Sequence, residues 1–174
     1  MTSVLKVTEI QDPTNSNTAL TIDSSGRVSL PQIPCACVTI NTSNSQDTSN
    51  PYTTTGADIL FNKVTINQGS VYDSTNGKFT APIAGIYEFS YTFLKDDDSG
   101  ANVTYFDMFK NGVSYVSNAG SRLYDENPNT YGNMSQKTLV DLAANDYLTL
   151  RLVSGGFHLE SGGSYHSIIF KLVG

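Results

Sequence analysis

Basic residues are scarce in this chain, and their scarcity argues against one class of partner. The sequence has 10 Lys and Arg residues against 16 Asp and Glu residues, which gives a formal net charge of −6. Proteins that bind nucleic acid or an anionic membrane do so through clustered Lys and Arg side chains that contact phosphates. We therefore expect neither nucleic acid nor a membrane surface among the partners.

Long apolar runs are also absent. No stretch approaches the roughly 20 apolar residues that a membrane-spanning helix needs, so we expect no membrane insertion. The N-terminal sequence MTSVLKVTEIQDPTNSN lacks the basic start and continuous apolar run of a secretory signal. We expect the chain to fold in the cytoplasm in which it is made.

Cysteine is limited to Cys35 and Cys37, in the segment PQIPCACVTIN. On a strand both side chains point to the same face, and a disulfide that closes over one residue would be strained. A zinc site would need a second pair of ligands, and no His or Cys cluster provides it. We predict two reduced, half-buried thiols, with a contact between subunits and redox chemistry as the alternatives.

The sequence is rich in β-strand patterning. Charged residues make up only 15% of the chain, and Ser, Thr, Asn and Gly take their place. Alternating segments rich in Val, Ile, Thr, Tyr and Phe are cut by turn residues about every ten positions. Asn111-Gly112 is the strongest hairpin signal, because these residue types adopt the positive φ angles of a type I′ turn. Helix signals are nearly absent, so the sequence predicts an all-β protein.

The character of the sequence changes near residue 34. Residues 1–34 are polar, contain the turns DPTNSN and DSSG, and end in Pro31 and Pro34, as a linker would. They hold too few large apolar groups to form a core alone, so we expect them to need a partner surface, most simply copies of themselves. Residues 35–174 hold essentially all the aromatic residues and are predicted to form one β-sandwich.

Particular residue types recur at fixed intervals between residues 61 and 91. The recurring positions are Phe61, Asn67, Tyr72, Phe79, Gly85, Tyr87, Phe89 and Tyr91. At the end of this stretch Tyr87, Phe89 and Tyr91 alternate with Glu88 and Ser90, which predicts a strand with one aromatic face.

This spacing resembles the signature of the complement 1q globular-head family, a branch of the tumour-necrosis-factor-like jelly rolls. The segments LVDLAANDYLTLRLVSGGFHL and SYHSIIFKLVG resemble the last strands of that family, so the resemblance covers residues 35–174. It implies a ten-stranded jelly-roll β-sandwich that assembles as a homotrimer. Residues 1–34 would then be a short N-terminal β anchoring segment.

The signature residues have separate physical roles. We predict that Phe79 and Phe89 fill the space between two sheets, each contributing ~1.5–3 kcal/mol by burial. Gly85 is predicted at a sharp turn into the long strand, where a Cβ atom would obstruct the chain. Tyr87 and Tyr91 each carry a hydroxyl that needs a partner, so we expect them at a rim or a subunit seam rather than in the dry core.

The N-terminal segment VTEIQDPTNSNTALTIDSSGRVSLPQ resembles short modules of bacteriophage virion proteins, notably fibre-type proteins of marine and freshwater phages. Animal relatives of the head family are usually secreted and carry a collagen stem of Gly-X-Y repeats, and neither feature is present here. The combination implies a virion protein made in the host cytoplasm, attached to another virion protein through residues 1–34.

An acidic loop is the one candidate for a bound ion. Asp96, Asp97 and Asp98 are adjacent, and some heads of the complement 1q family bind calcium near the threefold axis. Calcium loops usually interleave their ligands, so a hydrated loop is the alternative. No other cofactor is expected.

A second predicted loop mixes aromatic, acidic and amide groups. Its residues are Tyr124, Asp125, Glu126, Asn129 and Tyr131. Rigid aromatics and amides bind at low entropic cost, so this loop suits contact with a host-surface glycan or protein. A plain exposed loop is the alternative interpretation.

The sequence contains no persuasive catalytic set. His158 and His166 lack a metal-binding spacing and are predicted to be surface or seam residues. No strained serine motif is present, and no paired carboxylates indicate a glycan depolymerase. We predict a non-enzymatic virion protein: a short trimeric fibre whose head recognises the host surface, or a capsid-decorating, cementing trimer that stabilises the shell.

Overall fold

The structure is a computed structural model of the chain, and it describes residues 6–11, 13–14, 18–30, 32–41, 51–95, 103–115, 122–125, 131–159 and 165–174. These residues form strands, turns and bends, with no helix among them. No element in the described ranges is therefore a helix able to cross a membrane. The protein is all-β, as the sequence predicts.

The strands are short except for two of 11 residues each, β8 and β12. In chain order they are β1 (Glu9–Gln11), β2 (Thr18–Ile22), β3 (Val28–Ser29), β4 (Cys35–Thr39), β5 (Lys63–Gln68), β6 (Tyr72–Asp73), β7 (Lys78–Thr80), β8 (Gly85–Lys95), β9 (Thr104–Lys110), β10 (Val113–Ser114), β11 (Arg122–Asp125), β12 (Gly132–Leu142), β13 (Tyr147–Ser154) and β14 (Ser167–Leu172).

The chain divides into two compact units, Met1–Ile33 and Pro34–Gly174. In the first unit, β1, β2 and β3 form an antiparallel three-stranded sheet. The second unit, called the head below, holds β4 to β14. Its strands number eleven in the described ranges, against the ten that the resemblance implies.

The head is a jelly-roll sandwich of two sheets. Strands β12-β8-β14-β4-β5 form the five-stranded sheet, and β10-β9-β13-β7-β6, with β11 paired to β9, form the six-stranded sheet. Neighbouring strands pair across long sequence separations, as in β14 with β4 and β13 with β7. One continuous aromatic core fills the space between the sheets, and Phe79 and Phe89 lie in it with no exposed surface, as predicted.

Turn chemistry accounts for the sharpest hairpin. Asn111 and Gly112 connect β9 to β10 with φ angles of 53° and 76°, which are the two positive values that a type I′ turn requires. The Asn111 side chain also donates a hydrogen bond to Asp146 Oδ1 (2.7 Å) and accepts one from the Tyr147 backbone N–H (2.9 Å). The turn is therefore tied to the start of β13.

Candidate assembly and recognition surfaces

Asn67 and Tyr72 hold the tight connection between β5 and β6. The Asn67 side-chain amide donates to the Tyr72 carbonyl oxygen, and its carbonyl oxygen accepts from the Tyr72 backbone N–H, both at 2.9 Å. Gly69 and Ser70, between them, have positive φ angles. Because an Asn side chain has both a donor and an acceptor, it can pair with both backbone polar groups of one residue, and here it replaces ladder hydrogen bonds that the turn interrupts.

The Tyr72 hydroxyl connects the same turn to the segment before β5. It accepts a hydrogen bond from the Phe61 backbone N–H (2.7 Å) and donates one to the Phe61 carbonyl oxygen (3.0 Å). Burial raises the pKa of this hydroxyl, so it stays protonated. Phe61, Asn67 and Tyr72 therefore form one structural unit, and their fixed spacing specifies the fold rather than a ligand site.

Gly85 lies where the end of the chain packs against the start of β8. A Cβ atom at this position would be 2.6 Å from the Gly174 carbonyl oxygen and 2.7 Å from Leu172 Cδ1. The Ile86 backbone N–H donates to the same Gly174 oxygen at 2.6 Å. Contacts this close leave no room for a side chain, which agrees with the predicted obstruction.

The prediction for Tyr87 and Tyr91 is wrong, because one chain alone buries both rings. Their exposed fractions are 0% and 1%, and each ring lies on the core side of β8. The Tyr87 hydroxyl donates to the Ile83 carbonyl oxygen at 2.8 Å, so it is satisfied locally. The Tyr91 hydroxyl has no hydrogen-bond partner among the described residues. Ring packing, rather than hydroxyl exposure, therefore decides where these residues lie.

The two tyrosine hydroxyls Tyr72 and Tyr91 should respond oppositely to removal. We expect Tyr72→Phe to lower the free energy of unfolding by about 1–3 kcal/mol, because the Phe61 N–H and carbonyl would be left buried without partners. The matched change Tyr91→Phe removes a hydroxyl without a partner and should leave stability unchanged or raise it by up to about 1 kcal/mol. Urea unfolding of both variants at one protein concentration measures the difference. Equal losses would contradict this account.

The five-stranded sheet has one face that points away from the core. We call it the assembly face. Its residues alternate with the buried positions of each strand. They are Cys35, Cys37 and Thr39 on β4, Ile66 on β5, Ile86, Glu88, Ser90, Thr92 and Leu94 on β8, Asn133, Ser135, Lys137, Leu139 and Asp141 on β12, and Ser167, Ile169 and Lys171 on β14.

The middle of the assembly face is mainly apolar or uncharged, with Lys137 at one end of its central row. One row of directly paired residues crosses the sheet as Ile66, Cys37, Ile169, Ser90 and Lys137. Ile66 is 48% exposed at the edge of this row, and Ile169 and Cys37 are half-buried. Aliphatic and thiol groups form few favourable interactions with water, so this face is suited to contact with another protein surface.

Charges on the assembly face are largely paired with one another. Lys137 Nζ is 2.8 Å from Glu88 Oε2, and Lys171 pairs with Glu88 across β14 and β8. The hydrogen bond from Lys137 holds the pKa of Glu88 below its ordinary value, with a smaller effect from Lys171. Glu88 is therefore ionised near neutral pH in the single chain, with Lys137 as its countercharge.

The opposite face of the sandwich, on the six-stranded sheet, has different chemistry. Asp107 accepts two hydrogen bonds from Arg122, at 2.6 and 2.8 Å, and Asp58 accepts one from Arg151 at 2.6 Å. The Arg151 guanidinium lies 3.9 Å from the centroid of the Phe109 ring. These charged groups satisfy one another within the chain.

A cluster of aromatic side chains lies at one end of the five-stranded sheet. Tyr131 and Tyr165 flank His158, with ring centroids 5.7 Å from it on both sides. The register places Gly132 opposite Lys95 and the His158 backbone N–H 2.8 Å from the Leu94 carbonyl oxygen, so three separate segments meet here. We call these three residues the apical cluster.

The apical cluster is open to solvent. Tyr131 and Tyr165 are 53% and 43% exposed. The opposite end of the same sheet holds Gly85 and Leu172, whose backbone N–H donates to the Pro34 carbonyl oxygen at 3.0 Å. The head therefore begins, at Pro34, at the end of the sheet opposite the exposed rings.

The predicted binding loop is only partly described, and its two tyrosines have different neighbours. Tyr124 and Asp125 belong to strand β11 rather than to a loop, because they pair with Tyr105 and Thr104 of β9. The Tyr124 ring lies 5.8 Å from Tyr105 on the six-stranded sheet. Tyr131 instead joins the apical cluster. Glu126 and Asn129 lie outside the described residues.

The prediction of a surface or seam position is wrong for one of the two histidines. His166 is only 3% exposed, whereas His158 is half-buried in the solvent-exposed apical cluster. The His166 ring packs against Phe93 and Phe157, and its Nδ1 atom is 3.1 Å from the Ile40 carbonyl oxygen. Burial lowers the pKa of His166, so it is neutral near pH 7 and belongs to the core.

The candidate ion ligands Asp96, Asp97 and Asp98 lie outside the described residues. Across the ranges that are described, no three His, Cys, Asp or Glu side chains come together in an arrangement that could hold a metal ion. Cys35 and Cys37 are free and half-buried on the assembly face, as the sequence predicts.

Comparison with known proteins gives three kinds of match. A family model described as the C1q domain matches residues 42–170. Complement C1q tumor necrosis factor-related protein 3 of Mus musculus is 29% identical over 101 residues, which cover 58% of this chain and 38% of that protein. The Collagen alpha-1(X) chain of Mus musculus is 33% identical over 121 residues, covering 68% of this chain and 16% of that protein. The chain thus spans less than half the length of these curated relatives.

Solved structures show the same fold at low sequence identity. The globular domain of zebrafish complement 1qA protein is 15% identical, with a TM-score of 0.56 over 80% of this chain and 94% of that one. The Eiger TNF of S. frugiperda is 11% identical, with a TM-score of 0.61 over 82% of this chain and 94% of that one. These likenesses establish the jelly-roll fold of the head.

Proposed function

The chain belongs to the C1q domain family, and from that premise we propose that it is a non-enzymatic structural protein of a bacteriophage virion, a short trimeric fibre whose head recognises a host-surface glycan or protein. Members of this family and of the related TNF-like folds are typically non-enzymatic binding or structural proteins, and trimers are typical of them. The phage context is supported by the resemblance of residues 1–34 to virion modules.

The contrast between the two faces of the head is the observation that carries the assembly part of this proposal. The six-stranded sheet pairs its outward charges within one chain, as in Arg122 with Asp107. The assembly face instead exposes Ile66 and leaves the thiols and Ile169 only half covered. Three copies that meet through the assembly face would bury this apolar surface away from water. Each Å² of apolar surface buried stabilises the assembly by about 25 cal/mol.

Recognition is proposed for the apical cluster. Exposed tyrosines are rigid, amphipathic groups that contact glycans and proteins at low entropic cost. In a threefold assembly the cluster would occur three times at one end, and multivalent contact would strengthen weak individual sites. The head begins at Pro34, at the end of the five-stranded sheet opposite the apical cluster, so this cluster is separate from the point where residues 1–33 connect.

Particles that carry the variant Tyr131→Ala test this function. Truncation of a central aromatic contact commonly costs about 2 kcal/mol or more, so we expect at least a roughly tenfold lower rate of adsorption to host cells. Val113→Ala is the matched control, because Val113 is 70% exposed on a hairpin of the six-stranded sheet. The variant chain should keep its wild-type mass in solution.

Heat survival of the same particles separates recognition from the alternative. A capsid-decorating, cementing trimer would leave adsorption unchanged, and particles lacking the protein would lose infectivity faster on heating. Two results together would support shell stabilisation instead of host recognition. Tyr131→Ala particles would adsorb normally, and particles that lack the protein would be heat-labile. If the protein is absent from purified particles, both functions are wrong.

A further inference from the structure

The N-terminal sheet has two faces of opposite chemistry. Ile10 pairs with Leu20, and Ile22 pairs with Val28, so these four side chains share one face of the β1-β2-β3 sheet. We call this the aliphatic face. Glu9, Thr21 and Ser29 lie on the other face, where the Thr21 and Ser29 hydroxyls are hydrogen-bonded.

No described residue of the N-terminal unit covers the aliphatic face. Ile10 is 50% exposed and Val28 is 59% exposed, while Leu20 and Ile22 are half-buried. A sheet buries its apolar face by packing against another element, and three short strands alone provide no second layer. The unit Met1–Ile33 is also below the size at which a chain usually builds its own core.

The turns of this sheet are nevertheless well specified. Asp23 Oδ1 accepts hydrogen bonds from the backbone N–H groups of Ser25 and Arg27, at 2.8 and 2.9 Å, and the Arg27 side chain pairs with Asp23 Oδ2 at 2.7 Å. Local hydrogen bonds therefore fix the β2–β3 hairpin and its register. A fixed register keeps all four aliphatic side chains on one face rather than distributing them over both.

We propose that the aliphatic faces of three copies pack against one another, forming a dry N-terminal core that we call the stem. This inference rests on the proposed trimeric function. The described side chains of this face are all aliphatic, so none of them would select a charged or hydrogen-bonding partner, and an equivalent aliphatic surface is its natural complement. Three segments joined to one trimeric head would be held at roughly millimolar effective concentration, which favours their mutual contact.

If the aliphatic face is packed in this way, only the rest of the N-terminal sheet is free to attach to the virion. With the aliphatic face closed, the polar face with Glu9 and Ser29 and the edges of β1 and β3 stay accessible. Unpaired strand edges and hydroxyl groups can bind a further protein by main-chain hydrogen bonds. The stem therefore separates self-association from attachment.

Cross-linking of single cysteines in the full chain tests the stem. Cys35→Ser and Cys37→Ser first remove the native thiols, and light scattering confirms that this background keeps the mass of the parent chain. Val28→Cys and its neighbour Ser29→Cys are then compared, because they place a thiol on the aliphatic and polar faces respectively. We expect a short tris-maleimide reagent to give at least tenfold more covalent trimer from Val28→Cys than from Ser29→Cys.

The outcomes separate the stem from the trimer. If the background protein has three times the monomer mass but both cysteine variants cross-link equally poorly, the stem is wrong and the trimeric head stands. Val28→Cys that reacts freely in the purified protein but is protected on virions would also overturn the stem, since another virion protein would then cover the face. A background protein with the mass of one chain, when the unsubstituted protein is also monomeric, would overturn the trimeric function itself.

Discussion

Replacing Phe79 with alanine is expected to lower the free energy of unfolding by about 3–5 kcal/mol, the largest loss we predict for a single side chain. Phe79 is fully buried, and its ring centroid lies 4.5 Å from that of Tyr72, 5.2 Å from Phe89, 5.8 Å from Phe170 and 6.1 Å from Phe61. These rings come from both sheets, so the cavity would lie where the sheets join.

Urea unfolding followed by circular dichroism measures this loss at a fixed protein concentration, because the stability of an assembly depends on concentration. Phe109→Ala is the matched control, since its ring faces outward beneath Arg151 and is only half-buried. The control should lose far less stability than Phe79→Ala. A loss below about 1 kcal/mol for Phe79→Ala would show that this ring does not join the two sheets.

Replacing Ile169 with glutamate is expected to abolish assembly while leaving each chain folded. Ile169 lies between Cys37 and Ser90 in the middle of the assembly face. A carboxylate there would be exposed to water in one chain but desolvated without a paired cation in the trimer, which costs several kcal/mol per copy. We expect the variant to have a mass near 18.8 kDa with an unchanged circular dichroism spectrum.

Val113→Glu serves as the control for this substitution, because Val113 is exposed on the opposite sheet. The control should keep the wild-type mass. An Ile169→Glu protein that still assembles with wild-type affinity would mean that the copies meet through another surface. An unfolded variant would be replaced by Leu139→Glu, at a position that is 61% exposed in one chain.

The sequence predicts the fold well because the decisive signals are local. The alternation of aromatic and polar residues identifies β8, and the Asn111-Gly112 pair identifies the hairpin after β9. The interval between Asn67 and Tyr72 reflects a hydrogen-bonded turn within six residues. Gly85 was predictable for the same reason, as a position beside a long strand where the chain turns.

Errors arise where the outcome depends on pairing between distant segments. The polar hydroxyl of Tyr91 alone would favour a position at the rim of the sandwich. The ring is buried because Tyr91 lies on β8, which is central in its sheet and paired on both sides. Strand β11 pairs with β9, which brings Tyr124 into a sheet although its local sequence is typical of a loop. Single-residue preferences cannot overcome such tertiary context.

The candidate surfaces are the least predictable features. The apical cluster combines Tyr131, His158 and Tyr165 from three segments, and only Tyr131 has a local composition that indicates a binding loop. The assembly face is likewise defined by the order of the strands β12, β8, β14 and β4, which no short motif encodes. The sequence supplies the alternation of each strand, and the sheet order decides which outward residues become neighbours.

Sedimentation equilibrium across micromolar concentrations tests the central claim most directly, because it measures the mass of the purified 174-residue chain in solution. The account predicts a particle of about three times 18.8 kDa, since the assembly face is complete only against other copies. A stable single chain at every concentration, with Cys35 and Cys37 reacting rapidly with a thiol reagent, would contradict it.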